Sequence, residues 1–252
     1  MQEMNQNQSR YESFQRESPE SSESPEERSG ERAFEEKLPK AESPKGVYRS
    51  DTIYGNHLPE LEETMDFVLR RIDAIRKQLA GSSQQGDPVD HVLSRIKTDA
   101  SMREKCRRKG IPENEHSALE ICQDAIGIRI ICPFLNDVYT IADALKAQPD
   151  FESVEEKDYI RHVKPNGYRS LHIIMRIHGL FVEFQIRTIS MDTWAALEHL
   201  MTYKQNISGN EKLIVSELKR CADELASTDV SMQTIRDMIT TEGDGGEPPA
   251  EK

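Results

Sequence analysis

Two carboxylates in this sequence are placed where they could hold a metal ion beside phosphate groups. Asp124 lies just before the β-branched run GIRIIC, and Glu183 lies inside the alternating segment VEFQIR. In phosphoryl-type transfer the protein mainly positions the reactants and neutralises charge, and carboxylates hold the Mg²⁺ that bridges phosphate oxygens. We therefore expect Asp124 and Glu183 to belong to a site for phosphate chemistry.

Two groups of basic residues supply the positive charge that such a site needs. Seven Lys or Arg lie between residues 95 and 109 against two acids, although the whole chain has a net charge of −12. A second group, in residues 161–172, contains no acid. A solvated helix face would explain one such run, whereas two runs beside predicted strands favour a polyphosphate ligand. Because GxxxxGK[ST], GxGxxG and HExxH are all absent, we expect no P-loop, Rossmann or zinc site.

Two further patterns have both a functional and a structural interpretation. Side chains alternate along a strand, so Glu183, Gln185 and Arg187 share one face, which is either a binding surface or simply exposed to solvent. Tyr168 follows Asn166-Gly167, the kind of sharp turn that exposes a ring, and an exposed ring would suit stacking on a nucleobase. Ordinary packing at the end of a strand is the alternative, and from the turn alone it is the interpretation we favour.

Hydrophobic periodicity and stop signals predict the elements that must position these residues. The predicted helices cover residues 58–80, 89–109, 136–147, 189–204 and 211–240. The predicted strands cover residues 127–132 and 151–160, and a β-hairpin is predicted over 168–187 with its turn at His178-Gly179. Helices that flank three or four strands indicate a mixed α/β fold.

Composition divides the chain of 252 residues into three parts. Residues 1–56 are rich in Glu, Ser and Pro and poor in apolar residues, so we expect disorder there and in the acidic tail 241–252. Residues 57–240 are long enough for one domain with a core. No run of apolar residues is long enough for a membrane span or a secretory signal, so we expect a cytoplasmic protein whose four cysteines stay reduced.

Five ordered motifs together identify a family. They are SRIKTDASMREKCRRKGIP, DAIGIRIICPFLNDVY, DYIRHVKPNGYRSLH, VEFQIRTISMDTWAALEH and the pair Tyr203-Lys204. Over about residues 60–240 the chain resembles the small alarmone synthetases, the single-domain branch of the RelA/SpoT family, and is most similar to the RelQ type. The resemblance implies a nucleotidyltransferase-like fold that makes (p)ppGpp for the stringent response, by transferring pyrophosphate from ATP to the 3′-hydroxyl of GTP or GDP.

The resemblance also implies a role for each matching position. Asp124 corresponds to the Mg²⁺ ligand, and Glu183 to a second carboxylate that binds Mg²⁺ or helps deprotonate the 3′-hydroxyl. The implied ATP-binding residues are Arg95 and Arg129 around adenine, with Lys97, Lys105 and Arg108 on the phosphates. The implied acceptor-binding residues are Tyr168 stacked on guanine, Lys164 and His172 near the phosphates, and Gln185 and Asp192 nearby.

Assembly, regulation and competing functions follow from the same comparison. The small members of the family imply a homotetramer, which we expect to form on the helices of residues 58–80 and 211–240, and regulation by an alarmone or single-stranded RNA. With no adjacent His-Asp pair, synthesis without hydrolysis is expected. The alternatives are a toxic relative that modifies the tRNA 3′ end and a catalytically inactive nucleotide- or RNA-binding regulator. The net negative charge favours a free nucleotide as acceptor.

Overall fold

A five-stranded mixed β-sheet forms the centre of the computed structural model, which describes residues 52–82, 86–202 and 210–243. The strands are β1 (His91–Ile96), β2 (Ile126–Cys132), β3 (Glu152–Asp158), β4 (Leu171–Ile177) and β5 (Leu180–Thr188). Their order across the sheet is β1-β2-β5-β4-β3. β2 and β5 run parallel, and the other neighbouring pairs are antiparallel. The predicted mixed α/β class is confirmed.

The described residues also form five α-helices. They are α1 (Leu58–Ser82), α2 (Asp99–Lys109), α3 (Leu135–Lys146), α4 (Ile189–Thr202) and α5 (Glu211–Gly243). A 3₁₀ turn (Gly55–His57) precedes α1, and a π-helical turn (Ser117–Ile121) follows α2. In the part of the chain that the structure covers, no helix is long and apolar enough to cross a membrane.

The apolar face of the sheet carries the core. The buried side chains on its two central strands include Ile126, Ile128, Ile130, Val182, Phe184 and Ile186. Residues from α1 and α3 belong to the same cluster, among them Leu61, Val68, Val138 and Ile141. Burial of these side chains is the main force that fixes the two helices on the sheet. All four cysteines are free thiols.

The helix predicted over residues 89–109 is wrong in its first half. Residues 91–96 form β1, which pairs antiparallel with β2. The helix α2 begins only after Thr98, whose side-chain oxygen accepts a hydrogen bond from the backbone N–H of Ser101. Pairing with the fully buried strand β2 determines this conformation, and the local spacing of apolar residues does not reveal such a distant partner.

The predicted turn signals are confirmed. His178 and Gly179 have φ angles of 52° and 81°, and two consecutive positive values are what the tight turn of a two-residue hairpin requires. Gly110 ends α2 with a φ of 66°, and its N–H reaches back to the carbonyl oxygens of Arg107 and Cys106. The first turn sets the direction of β5 after β4, and Gly110 sets the direction of the chain between α2 and β2.

Buried residues begin before the predicted domain boundary at residue 57. Ile53 and Tyr54 are 3% and 2% exposed and belong to the core, although composition alone assigns them to the disordered segment. The backbone N–H of Ile53 donates to Asp99 at 2.6 Å, which attaches this segment to the start of α2. The remainder of the predicted disordered segment, to residue 51, the tail from residue 244 and the Tyr203-Lys204 pair lie outside the described residues.

Candidate active site

The second face of the sheet is polar and carries several of the predicted site residues. Paired residues on neighbouring strands point to the same face. The register pairs Arg129 with Gln185, Gly127 with Glu183, and His172 with Gln185. Gln185 is only 5% exposed, so the solvent-facing interpretation of the polar stripe on β5 is wrong. Gln185 and Arg187 are buried, and the side chain of Glu183 is 24% exposed.

Asp124 lies at the centre of a cluster of buried charges. Its Oδ2 atom contacts the ammonium groups of Lys97, in a very short hydrogen bond, and of Lys105, at 2.6 Å. Burial opposes ionisation of this carboxyl group, but the two positive charges hold its pKa below the usual value. Burial in turn lowers the pKa of Lys97, against the attraction of Asp124. The sequence predictions that joined these three residues in one site agree with this geometry.

The carboxylates Asp124 and Glu183 can accommodate a divalent metal ion. The Oδ1 atom of Asp124 is buried and has no hydrogen-bond partner, so one carboxylate oxygen remains to coordinate a cation. Glu183 lies near enough for its charge to raise the pKa of Lys97. Within the described ranges no group of three or more His, Cys, Asp or Glu could hold a metal by itself. Mg²⁺ is usually held by one or two carboxylates together with substrate phosphates and water, so the two carboxylates fit it.

Glu183 is positioned by a row of polar side chains along β5. The amide of Gln185 donates to Oε2 of Glu183 at 3.3 Å, and Arg187 donates to Oε1 of Gln185 at 3.4 Å. On β4, Nδ1 of His172 lies 3.8 Å from Oε1 of Glu183. The carboxylate therefore has one oxygen held by Gln185 and the other facing His172.

The two arginines predicted to sandwich adenine lie on neighbouring strands. Arg95 pairs with Gly127, two residues before Arg129, so both arginines are on the polar face and the glycine leaves space between them. Arg129 is 9% exposed and lies 3.4 Å from Oδ1 of Asp192, in the first turn of α4. The same oxygen contacts Nε of Arg187 at 3.2 Å. Asp192, predicted near the acceptor nucleotide, thus anchors two arginines.

Tyr168 is buried, which agrees with the packing interpretation of its turn and not with an exposed ring. It is 3% exposed and packs in a small cluster with Trp194 and part of α5. The Nζ atom of Lys164 lies 5.0 Å from the centroid of the Tyr168 ring and 4.5 Å from that of Tyr159. A nucleobase that stacks on Tyr168 must therefore displace the Lys164 side chain.

His172 connects the tyrosine with the carboxylate. Its Nε2 atom shares a hydrogen bond of 2.9 Å with the hydroxyl group of Tyr168, while its Nδ1 atom faces Glu183. Burial, together with the charges of Lys164 and Arg187, lowers the pKa of His172 to about 3. The imidazole is therefore neutral at physiological pH and acts here as a hydrogen-bonding group rather than as a cation for phosphates.

Arg108, the third residue predicted to bind phosphate, is exposed. It occupies the last turn of α2, one turn beyond Lys105. The structure therefore joins Lys97 and Lys105 to Asp124 directly, whereas Arg108 lies on the exposed surface of α2.

Three residues contribute to the site without having been assigned a role from the sequence. The hydroxyl of Tyr54 donates to the backbone oxygen of Lys97 at 2.7 Å. Arg187 is fully buried and contacts Gln185. Trp194 lies 6.4 Å from Tyr168 between ring centroids. An arginine within an apolar strand and the single tryptophan of the chain are sequence signals from which Arg187 and Trp194 could have been identified. Tyr54 has no such signal, because it belongs to a segment of polar composition.

Comparison with known proteins matches this region to one family. Residues 94–208 match the region found in RelA/SpoT proteins. GTP pyrophosphokinase YwaC of Bacillus subtilis is 40% identical over 158 residues, which are 60% of this chain and 75% of that protein. GTP pyrophosphokinase YjbM of the same organism is 38% identical over 157 residues, 59% of this chain and 72% of that protein.

A solved structure gives the same match in three dimensions. The crystal structure of small alarmone synthetase 1 from Bacillus subtilis, bound to its product pppGpp, superposes with a TM-score of 0.62 and 32% identity. The match covers 73% of this chain and 95% of that one. The family region contains Asp124, Tyr168 and Glu183, and it ends before α5.

Proposed function

This chain belongs to the RelA/SpoT family and is a GTP pyrophosphokinase that synthesises (p)ppGpp, and we propose how its own residues divide that reaction. The proposal places ATP at Arg95, Arg129, Lys97, Lys105 and Arg108, and the acceptor nucleotide at Lys164, Tyr168, His172, Gln185 and Asp192. Asp124 and Glu183 are the catalytic carboxylates between the two nucleotides. The observation that carries this assignment is the buried Asp124 held by two lysines, with its second oxygen unpartnered.

On the donor side, the lysines bind the phosphates of ATP. Lys97 and Lys105 are 12% and 18% exposed at their side chains, so their charges act in surroundings where they are weakly screened. With the lysines on the phosphates, Asp124 would be free to hold Mg²⁺ through both carboxylate oxygens. The bound metal would polarise the phosphate oxygens and neutralise charge as the pyrophosphate group is transferred.

On the acceptor side, Glu183 receives the proton of the 3′-hydroxyl. Its Oε2 atom already accepts a hydrogen bond from Gln185, so the proton goes to Oε1, which faces His172. The neutral His172 keeps that oxygen oriented without adding a positive charge that would weaken the base. Tyr168 stacks on guanine after Lys164 has moved from the ring towards the acceptor phosphates.

Product analysis with several acceptors tests this function and its alternatives. The chain is incubated with labelled ATP and Mg²⁺, and GTP, GDP, GMP or deacylated tRNA is offered singly and in competition, with the products separated by chromatography. Labelled pppGpp or ppGpp is expected, and Glu183→Gln should abolish it. Label on the tRNA 3′ end instead would identify the toxic-type activity, and no label on any acceptor would favour the inactive regulator. Reactions in which Mg²⁺ is chelated and then restored test the metal.

The limits of the domain, the assembly and the regulators are also part of the proposal. We place the synthetase domain within the predicted residues 57–240, extended at its start by the buried Ile53 and Tyr54, and the protein in the cytoplasm. A homotetramer is supported by exposed apolar side chains on α4 and α5, among them Leu197, Leu200, Ile235, Met238 and Ile239. The apolar stripe of α1 is buried in the core of its own subunit, so α1 is less suitable than α5 as an interface between subunits. Regulation by an alarmone or single-stranded RNA stays a prediction.

A further inference from the structure

The turn that carries Tyr168 is pressed against the middle of α5. Gly167 has a φ of 94°, and a Cβ atom at this position would lie 2.7 Å from the Cβ of Ala222 and 3.0 Å from the Cα of Lys219. No side chain fits between the turn and the helix. The position of α5 therefore decides where the backbone next to Tyr168 can lie.

An arginine ties the same turn to α5. Arg169 donates from Nη1 to the carbonyl oxygen of Gly167 at 3.0 Å and from Nη2 to Oδ1 of Asp223 at 2.7 Å. Hydrogen bonds from Lys219 and Arg169 lower the pKa of Asp223, so this carboxylate is charged at neutral pH. The guanidinium group is 13% exposed at the side-chain level and thus bridges the turn and the helix from a largely buried position.

A tryptophan provides the third connection. Trp194 donates from Nε1 to the backbone oxygen of Leu218 at 2.9 Å, and its ring packs against Tyr168. Tyr168, Trp194, Leu218 and Ala222 belong to one buried cluster that is separate from the main core. The stacking tyrosine is thus enclosed from one side by α5.

We propose that α5 is a structural part of the acceptor site, with Ala222 and Asp223 as positioning residues that fix the turn and the ring of Tyr168. The inference rests on the proposed function, because it takes Tyr168 as the platform for the acceptor base. It adds to the site a helix that lies beyond the family region, which ends at residue 208. Neither residue touches the nucleotide, and both act through the turn.

The far half of α5 is anchored independently, which makes the proposal testable by point substitution. Arg236 forms a buried, two-pronged contact with Asp137 of α3 at 2.7 and 2.8 Å. Gln233 accepts a hydrogen bond from the backbone of Asn136 at 3.0 Å. Substitutions around residue 222 should therefore leave the helix attached to the domain.

The test measures acceptor and donor binding separately in the full chain. Trp194 is the only tryptophan, so its fluorescence reports GDP binding at the adjoining Tyr168 without turnover. Asp223→Ala and Ala222→Val are compared with Glu217→Ala, which removes an exposed acid of the same helix whose carboxylate contacts Arg220 at 3.0 Å. ATP affinity is measured by equilibrium dialysis, and urea unfolding monitors the fold.

We expect both variants to weaken GDP binding and raise the acceptor KM by about tenfold, part of the range for loss of base stacking. ATP affinity and kcat at saturating acceptor should stay within about twofold of the Glu217→Ala control. The urea concentration at the midpoint of unfolding should match that of the control. Asp223→Glu should recover most of the loss, because it restores the charge opposite Arg169.

Two results would overturn the inference, and they differ in what they leave standing. If both variants bind GDP like the control while Tyr168→Ala loses GDP binding, α5 has no positioning role and the proposed acceptor site stands. If Tyr168→Ala also binds GDP normally, the acceptor assignment itself is wrong and the inference fails with it.

Discussion

Replacing Asp124 by Asn separates two roles of this carboxylate, in catalysis and in holding Lys97 and Lys105. Asn keeps the shape and loses the charge, so it leaves two ammonium groups in a site where they are 12% and 18% exposed. Removal of one partner from a buried ion pair costs about 3–5 kcal/mol. Because both lysines retain some contact with water, we expect a loss of about 3 kcal/mol in the free energy of unfolding at pH 7.

The pH dependence of that loss has a definite sign. Burial already lowers the pKa of Lys97, and removal of Asp124 takes away the group that opposes this effect. A lysine with a depressed pKa in the folded protein penalises folding while it is protonated, and the penalty falls progressively as the pH rises from that pKa to the ordinary pKa of the unfolded lysine, about 10.4. The stability deficit of Asp124→Asn should therefore be smaller at about pH 9 than at pH 7, as measured by urea unfolding followed by circular dichroism.

A second substitution isolates the catalytic role. Asp124→Asn combined with Lys97→Met removes one of the two uncompensated charges, which restores the net charge of the cluster, and should recover most of the lost stability. Neither the single nor the double variant should synthesise (p)ppGpp at more than about one hundredth of the wild-type rate, because loss of a metal ligand costs that much or more. Turnover of Asp124→Asn within about threefold of wild type, with product separated by chromatography, would refute the reasoning. So would a double variant that regained activity, since Asp124 would then serve only to neutralise lysine.

Three other predictions follow from contacts elsewhere in the molecule. Tyr168→Phe removes the hydrogen bond to His172 and should lower the free energy of unfolding by about 1–3 kcal/mol, with little change in acceptor KM. Tyr168→Ala should weaken acceptor binding by about 1–3 kcal/mol. Equal acceptor KM values in the two variants would contradict the stacking role. Burial raises the pKa of Asp229, so the folded chain binds this proton more tightly than the unfolded chain does. In urea titrations, the stability of the wild type should therefore fall relative to that of Asp229→Asn as the pH rises from about 4 to 7, by at most about 1.4 kcal/mol per pH unit. A constant difference in stability would refute the pKa shift. Deletion of residues 1–50 should change neither the synthetase rate nor the tetrameric mass in light scattering, and a monomeric full-length chain would rule out the proposed assembly.

The sequence was sufficient for elements whose signals are local. The strand β2 was predicted from the β-branched run GIRIIC, bounded by Gly127 and Pro133, and every residue of the strand is buried. The β4–β5 hairpin was predicted to the residue at its turn, because His178-Gly179 interrupts two strand-like segments. Strand β1 was missed because its conformation depends on pairing with β2, about thirty-five residues later, and no local pattern encodes that partner.

The site shows the same division between local and distant causes. Residue types indicated a basic run and a nearby carboxylate, the family resemblance selected Asp124, Lys97 and Lys105, and the structure brings all three together. The burial of Tyr168 agrees with the packing interpretation, but the sequence did not identify what covers the ring, which is Trp194 and the helix α5, some fifty residues further along the chain. A turn signal gives the direction of the backbone and carries no information about what later covers the side chain.

The contact of Asp124 with Lys97 and Lys105 has a consequence for which nucleotides the enzyme accepts as donor. The carboxylate serves as a resident counter-ion, so a ligand must exchange with it rather than simply add to a positive surface. A group with a single negative charge gains little by this exchange, because it replaces one charge of the same size. A triphosphate offers several charges close together, and its gain grows with charge density. In the proposed site the two lysines should therefore favour a triphosphate over a ligand with one negative charge, by the cost of displacing an anion that the protein itself provides.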